Sequence, residues 1–303
     1  MDFKRPVRFP TDLKFILKWN EVFSHPNDEY SYGQRAFIVN NCSYYNCFIT
    51  NTQHFLLDIR HFDAIIFDVD SEWDKHPHFR SPHQTYIFTA LDHVNNGEIC
   101  LTYNYDNYFN LTWTYRLDSD IIKTPFQILN KYGSIIGPKS NMAWIDPMKP
   151  TSEDVKKIIK NKKKAVAWFL TDCHTKNSKT IGTVASYVEK LLKKRNLTLD
   201  IYGWCGNLKC PKQRIEECLV LLKKDYYFYF AFEMALKEDY VTEEILQPLQ
   251  NYAVPIVYGG ANYSRFLPPG SYIDAVKLSG DEVVSLIEQA IRSPEIYQNY
   301  FSF

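Results

Sequence analysis

The sequence predicts an α/β protein built on parallel sheets, and three observations carry that expectation. Residues 226–273 read as strand, polar turn, helix, strand, turn and short helix. Residues 165–224 continue the alternation, with strand 165–171, helix 180–195, strand 197–202 and helix 213–224. Apolar runs such as 64–69 (AIIFDV) show no alternation of polar and apolar positions, as a strand covered on both faces requires. Strands that alternate with helices pair in parallel, because a parallel pair needs a helix-length crossover.

The amino-terminal half opens with strand 13–19 (LKFILKW), followed by 47–52 (CFITNT), 64–69 and 84–92 (QTYIFTALD). Residues 147–164 read as a proline turn and a short basic helix, with Thr151 and Asp154 forming a capping-box-like start. The boundary is expected there: an amino-terminal domain 1–150, a linker and first helix 151–164, and a carboxyl-terminal domain 165–303. In the second half Thr242 is placed to cap a helix over 243–252, with Glu243 and Glu244 in the first turn, where the helix dipole favours acids. Strand 254–258 closes on Gly259-Gly260. The last long helix starts near Ser279 and puts Val283, Leu286, Ile287 and Ala290 on one face. Strand–helix–strand units place polar loops and helix N-termini at the strands' carboxyl edge, where such folds bind nucleotides and phosphates.

At 303 residues the chain can hold two domains and bury a sizeable core. Lys+Arg and Asp+Glu balance at 35 each, so no overall field argues for nucleic acid or membrane. The basic run 156–164 has no interleaved aromatics and reads as a solvated face. No run approaches the roughly 18 apolar residues of a membrane span, and the first thirty residues hold no signal-peptide apolar region. The 22 Tyr and 20 Phe are expected mainly in cores, with stacking on sugars or bases a lesser use. The 7 cysteines leave at least one unpaired and lack zinc spacing, so structural thiols or one to three disulfides are expected. Four N-x-S/T sequons, at Asn41, Asn110, Asn196 and Asn262, point towards a secretory compartment. Asp68-Val69-Asp70 and Asp118-Ser119-Asp120 have the acid-x-acid pattern of some metal sites. Acids at strand ends are commoner as turn and cap residues, and His76, His78, His83 and His93 have no fixed spacing, so no metal is expected.

The stretch YYFYFAFEMALKEDYVTEEILQPLQNYAVPIVYGGANYSRFLPPGSYI, residues 226–273, resembles the donor-binding signature of the α1,3/α1,4-fucosyltransferase family. QTYIFTALD, FNLTWTYRLDSD, the loop TDCHTKNSK and LDIYGWCG resemble further stretches of that family. The resemblance implies two Rossmann-like domains facing a cleft, the type B glycosyltransferase fold. It implies an acceptor glycan or glycoprotein on the amino-terminal side and GDP-fucose on the carboxyl-terminal side. It also implies an inverting transfer to an N-acetylglucosamine hydroxyl, no metal cofactor, and a Golgi enzyme whose membrane anchor and carboxyl-terminal tail are not in this sequence.

By the same resemblance Asp92 stands at the catalytic base and Lys179 at the cation that grips the diphosphate. Tyr202, Gly203, Glu233, Tyr240, Thr242, Glu243, Asn262 and Tyr263 stand in the donor site, and Tyr115 and Arg116 on the acceptor side. Asn262 is therefore expected to be buried and unmodified, which leaves Asn41, Asn110 and Asn196 as glycosylation candidates. Four positions depart from the family pattern: Asp92 for Glu, Lys179 for Arg, Met234 for Asn and Glu244 for Lys. Lys237 and Arg265 are nearby cations that could replace the missing charge. All four departures fall on chemistry while the scaffold motifs are intact. That pattern also fits a catalytically silent relative that binds glycan or a partner enzyme.

Overall fold

Two parallel sheets organise the chain, one in each of two units that divide between Lys123 and Thr124. The structure is a computed structural model describing residues 9–19, 32–69, 76–91, 107–170, 179–203, 206, 208–210 and 215–303.

In the first unit the elements are β1 (Lys14–Lys18), α1 (Arg35–Val39), β2 (Cys47–Thr50), β3 (Ala64–Asp68), β4 (Thr85–Ala90), β5 (Leu111–Thr114) and β6 (Ile121–Ile122). The strands form one sheet in the order β2-β1-β3-β4-β5-β6, every described pair parallel. Its core gathers Leu17, Phe62, Ile65, Phe67 and Tyr86, with the Phe67 and Tyr86 rings 4.9 Å apart. The apolar runs expected to be strands are strands here, each slightly shorter than its apolar run.

The second unit begins with an antiparallel hairpin, β7 (Ile128–Leu129) and β8 (Ile135–Gly137), then α2 (Glu153–Ile159). There follow β9 (Lys164–Leu170), α3 (Ile181–Lys194), β10 (Leu199–Gly203), α4 (Ile215–Asp225) and β11 (Tyr226–Phe232). The chain ends with α5 (Leu246–Gln250), β12 (Val254–Tyr258), β13 (Ile273–Asp274), α6 (Gly280–Arg292) and α7 (Pro294–Asn299). The sheet order is β10-β9-β11-β12-β13, all parallel. Val166, Trp168 and Leu170 of β9 and Phe228, Phe230 and Phe232 of β11 share one core with Ala185, Val188 and Leu192 of α3 and Val283, Val284 and Ile287 of α6. The alternate residues are buried as well: Phe169 makes edge contacts with Tyr202 at 5.1 Å and Tyr229 at 5.5 Å. Burial on both faces is why these strands carry no polar alternation.

Residues 124–150 pack within the second unit. The Phe126 ring meets Phe266 at 6.4 Å, and Trp144 Nε1 donates to the Ser264 carbonyl at 2.7 Å.

Two local expectations are corrected. Ser152, not Thr151, caps α2: its extended backbone puts Oγ 3.4 Å from the Val155 N–H it accepts, while Thr151 Oγ1 donates to the Gln298 carbonyl at 2.5 Å. Nor is the basic run wholly solvated. Lys162 is 4% exposed, and its Nζ donates to the carbonyls of Leu222 (3.2 Å), Lys223 (3.0 Å) and Tyr226 (2.7 Å). A lysine can be buried where two carbonyls at a helix end and one at the start of the next strand accept its protons.

Cys210 and Cys218 form a disulfide, and Cys42 and Cys47 are free thiols. Among the described residues no helix is long and apolar enough to cross a membrane.

Candidate functional site

The second sheet reverses direction at β9. From there the chain steps outward to β10, then crosses back to place β11 on the other side. Connections leaving β9 and β11 therefore diverge at the strands' carboxyl ends, and this switch point is where open α/β sheets hold ligands. Lys179 precedes α3 in the connection after β9. Tyr202 and Gly203 end β10, with Gly203 in register with Leu170. Residues 233–242 follow β11, and 259–266 follow β12. The topology thus brings Lys179, Tyr202, Gly203, Glu233, Tyr240, Thr242, Glu243, Asn262 and Tyr263 to one sheet edge.

Close backbone approach shapes this edge. Gly203 has φ +109, and a Cβ there would lie 2.0 Å from the Leu170 carbonyl oxygen. A Cβ on Gly260 would lie 2.5 Å from the Lys237 nitrogen, so the loops after β11 and β12 touch main chain to main chain.

Glu233 is the first residue past β11 and only 3% exposed. Its Oε1 accepts the Thr242 N–H at 3.0 Å. Among the described residues its Oε2 and the buried Tyr263 hydroxyl find no partner. Both side chains border Gly259, where a Cβ would lie 2.3 Å from Tyr263 Oη and 3.0 Å from Glu233 Cγ. Burial pushes the Glu233 carboxyl up to about 7; Glu244 and Glu243 add to this, and the hydrogen bonds from Thr242 oppose it. Half-buried Glu244 is also pushed up to about 7, by burial first and then by Glu243. Burial, and then the charge of Glu244, raise the hydroxyl of Tyr229, which places Glu244 near the buried strand β11. Acids displaced this far and clustered at a switch point have the character of a functional site.

The remaining expected residues divide. Lys179 and Glu243 are exposed and Tyr240 is buried. Thr242 stands at the N-cap position, but its side chain makes no capping bond; the expected helix begins as a 3-10 turn, Glu243–Ile245, and α5 spans only five residues before Tyr252 at φ +53 ends it. Asn262 is exposed rather than buried, because its Oδ1 turns back to accept the Ser264 N–H (3.3 Å) and hydroxyl (2.8 Å); the buried member of that element is Tyr263. The Tyr202 hydroxyl is 2.7 Å from that of Tyr226, which in turn donates to Asp200 at 2.5 Å, so Tyr202's polar end belongs to the sheet's own network. Arg265 is held by Asp239 at 2.9 Å, while Lys237 is exposed.

In the first unit, Tyr115 follows β5 half-buried, and Arg116 grips Asp118 through Nε (2.8 Å) and a terminal nitrogen (2.6 Å). Asp120 accepts the Thr112 N–H at 2.8 Å, so both acids of Asp118-Ser119-Asp120 serve local structure. Asp92, Asp70 and His93 lie outside the described residues. Among the described residues no group of three His, Cys, Asp or Glu is placed to hold a metal. Asn41 and Asn196 are exposed at φ 51 and 57, whereas Asn110 Oδ1 accepts the Tyr86 N–H at 2.8 Å and a guanidinium N–H of Arg80.

Comparison with known proteins gives this arrangement its relatives. The description "Glycosyltransferase family 10 (fucosyltransferase) C-term" matches residues 159–303, and "Fucosyltransferase, N-terminal" matches residues 11–126. Alpha-(1,3)-fucosyltransferase C of Drosophila melanogaster is 31% identical over 97% of this chain and 69% of its own length. The chain belongs to glycosyltransferase family 10, the fucosyltransferases. Alpha-(1,3)-fucosyltransferase fut-1 of Caenorhabditis elegans is 28% identical over 97% of this family 10 chain and 59% of its own length. A crystal structure of an alpha1,3-fucosyltransferase with GDP-fucose matches all of the chain and 85% of its own, with TM-score 0.56 and 13% identity. That likeness agrees with the type B glycosyltransferase fold expected of a fucosyltransferase.

Three residues that brace this edge of the fucosyltransferase went unmarked in its sequence: Asp239, Arg265 in its structural role, and Trp144. Asp239 lies within the family-like stretch, but its partner is 26 positions away, and Trp144 reaches Ser264 across 120. The one sequence signal was an Asp in a turn, a residue that tolerates the left-handed φ of +58 found there.

Proposed function

We propose that this family 10 chain transfers L-fucose from GDP-fucose to an N-acetylglucosamine hydroxyl of a glycan, with inversion at the anomeric carbon. The observation that carries the reading is the alignment with an α-(1,3)-fucosyltransferase over 97% of the chain. The donor lies at the β9/β11 switch point. Lys179 and the positive end of α3 face the diphosphate, Glu243 and Tyr240 the ribose or fucose hydroxyls, and Gly203, Thr242, Asn262 and Tyr263 shape the pocket. Tyr115 and Arg116 belong to the acceptor side.

Asp92 takes the proton of the acceptor hydroxyl as its oxygen attacks the fucose anomeric carbon. The bond from that carbon to the phosphate oxygen breaks, and GDP leaves with the electron pair. Negative charge grows on the diphosphate in the transition state, so groups that meet it there accelerate the step. Lysine meets it as a point charge, without the planar two-bond grip of arginine. Glu244, pushed up to about 7 and half-buried near Tyr229, carries a reduced negative charge near neutral pH. That supports turnover over the silent alternative. The chemistry needs no metal in this reading. The Cys210–Cys218 disulfide supports an oxidising compartment, and the Golgi lumen is the one that fits the reaction.

Calorimetry with GDP-fucose, followed by a fucose-transfer assay on N-acetyllactosamine, tests the proposal. Donor binding with transfer is expected. Binding without transfer or donor hydrolysis would make the chain a silent relative, and no binding of GDP-fucose would end the reading.

A further inference from the structure

An ion pair joins the loops after β11 and β12. Asp239, 2% exposed at its side chain, accepts from Arg265 at 2.9 Å. Its backbone is left-handed, φ +58, and its carboxylate meets the last residue of the turn Tyr263–Arg265. Beside the pair, Gly260 meets the main chain of Leu236 and Lys237 with no room for a side chain. The same turn takes two further contacts: Trp144 Nε1 donates to the Ser264 carbonyl at 2.7 Å, and the Phe126 and Phe266 rings lie 6.4 Å apart.

We propose that Asp239 and Arg265 are positioning residues for the donor: their ion pair clasps the loop bearing Tyr240 and Thr242 to the turn bearing Asn262 and Tyr263, so that both meet the nucleotide sugar as one rigid surface. The inference rests on the GDP-fucose reading above. Folding alone does not call for this pair, because buried ion pairs contribute little net stability compared with apolar packing of the same volume. What an ion pair adds is one fixed distance and direction. Loops left untied would have to be ordered when the ligand arrives, and that ordering would weaken binding. The clasp orders them beforehand.

The test uses the full chain and three variants: Asp239→Asn, Arg265→Met and Arg265→Lys. GDP-fucose affinity by calorimetry is expected to fall roughly tenfold or more in Asp239→Asn and Arg265→Met, with Arg265→Lys recovering to within about threefold of the native chain. KM for GDP-fucose should rise in step while KM for the glycan acceptor stays within about twofold, a split that general destabilisation does not give. Amide exchange should quicken in 233–242 and 259–266 and not in β9 or β11. If Arg265→Met does not fold, the near-isosteric Asp239→Asn decides. A folded Asp239→Asn with donor affinity within about twofold of native overturns the clasp, even if its Tm has dropped. Should the native chain bind no GDP-fucose, the parent reading falls by itself. The exchange measurement then decides the clasp, and unchanged rates in the two loops overturn it.

Discussion

Glu233 shows what a single side chain does at the sheet edge. One oxygen fixes the start of the turn after the loop by accepting the Thr242 N–H, and the other is buried beside Tyr263. Glu233→Ala leaves the Thr242 donor without its acceptor and should cost about 1–3 kcal/mol, read as a lower urea midpoint; Glu233→Gln keeps an acceptor and should cost under ~1 kcal/mol. Equal losses in the two variants would contradict the hydrogen-bond role. The pH dependence follows from the same burial. Glu233 and Glu244 sit at about 7 in the folded chain against an ordinary 4.5, so between those values the folded state holds more protons than the unfolded. Stability must then fall as pH rises from 4.5 to 7, by up to about 5 kcal/mol for the two acids together. Asp58, lowered to about 2, acts below this window, and Lys162, lowered to about 7 by burial, acts above it. Urea titrations at pH 5 and 7 check the slope, and Glu233→Gln and Glu244→Gln should each flatten it. The sequence marked Glu233 through the stretch it sits in. It could not mark the unpartnered oxygen, which depends on Gly259 and Tyr263 arriving from the next strand.

At the scale of elements, helix ends decide more than helix bodies. The body of α6 was legible from its apolar spacing, and its start at Ser279 is a full capping box with Glu282. The start of α2 was not, because adjacent Thr151 and Ser152 offer the same chemistry and only the entry angle of the chain selects the second. The end of α4 is a different case. Lys162, arriving just before β9, donates to two of its last carbonyls and to that of Tyr226 at the start of β11. Burial pushes its amine down to about 7, yet the carbonyls and the helix end receive whatever positive charge remains. Lys162→Met should lose roughly 2–4 kcal/mol, since the apolar stem is kept while three buried acceptors lose their donor. Thermal denaturation checks this, and a loss below about 0.5 kcal/mol would mean that water replaces the amine. A basic run in a sequence says nothing of which lysine meets carbonyls, so this role was invisible before the fold.

On the scale of the whole molecule, the parallel alternation and the order β10-β9-β11-β12-β13 turn a linear pattern into a site. Four connections that are far apart in sequence leave their strands at one edge because every strand points the same way. That much was readable from the strand–helix alternation. The packing of 124–150 within the second unit was not, because it rests on single long-range contacts such as Trp144 to Ser264 rather than on any periodicity. The arrangement makes a prediction about where the donor is felt. If the β9/β11 switch point holds GDP-fucose, donor alone should slow amide exchange in 199–203, 230–245 and 256–266. At a donor concentration about 100 times its dissociation constant, segments that open only by unfolding the second unit should gain about 2.7 kcal/mol of protection. Strands β3 and β4 of the first unit carry none of the proposed donor contacts and should exchange as before. Protection that appears in Ala64–Asp68 or Thr85–Ala90 with donor alone would move the donor contacts out of the second unit, and with them the roles given to Lys179, Thr242 and Glu243.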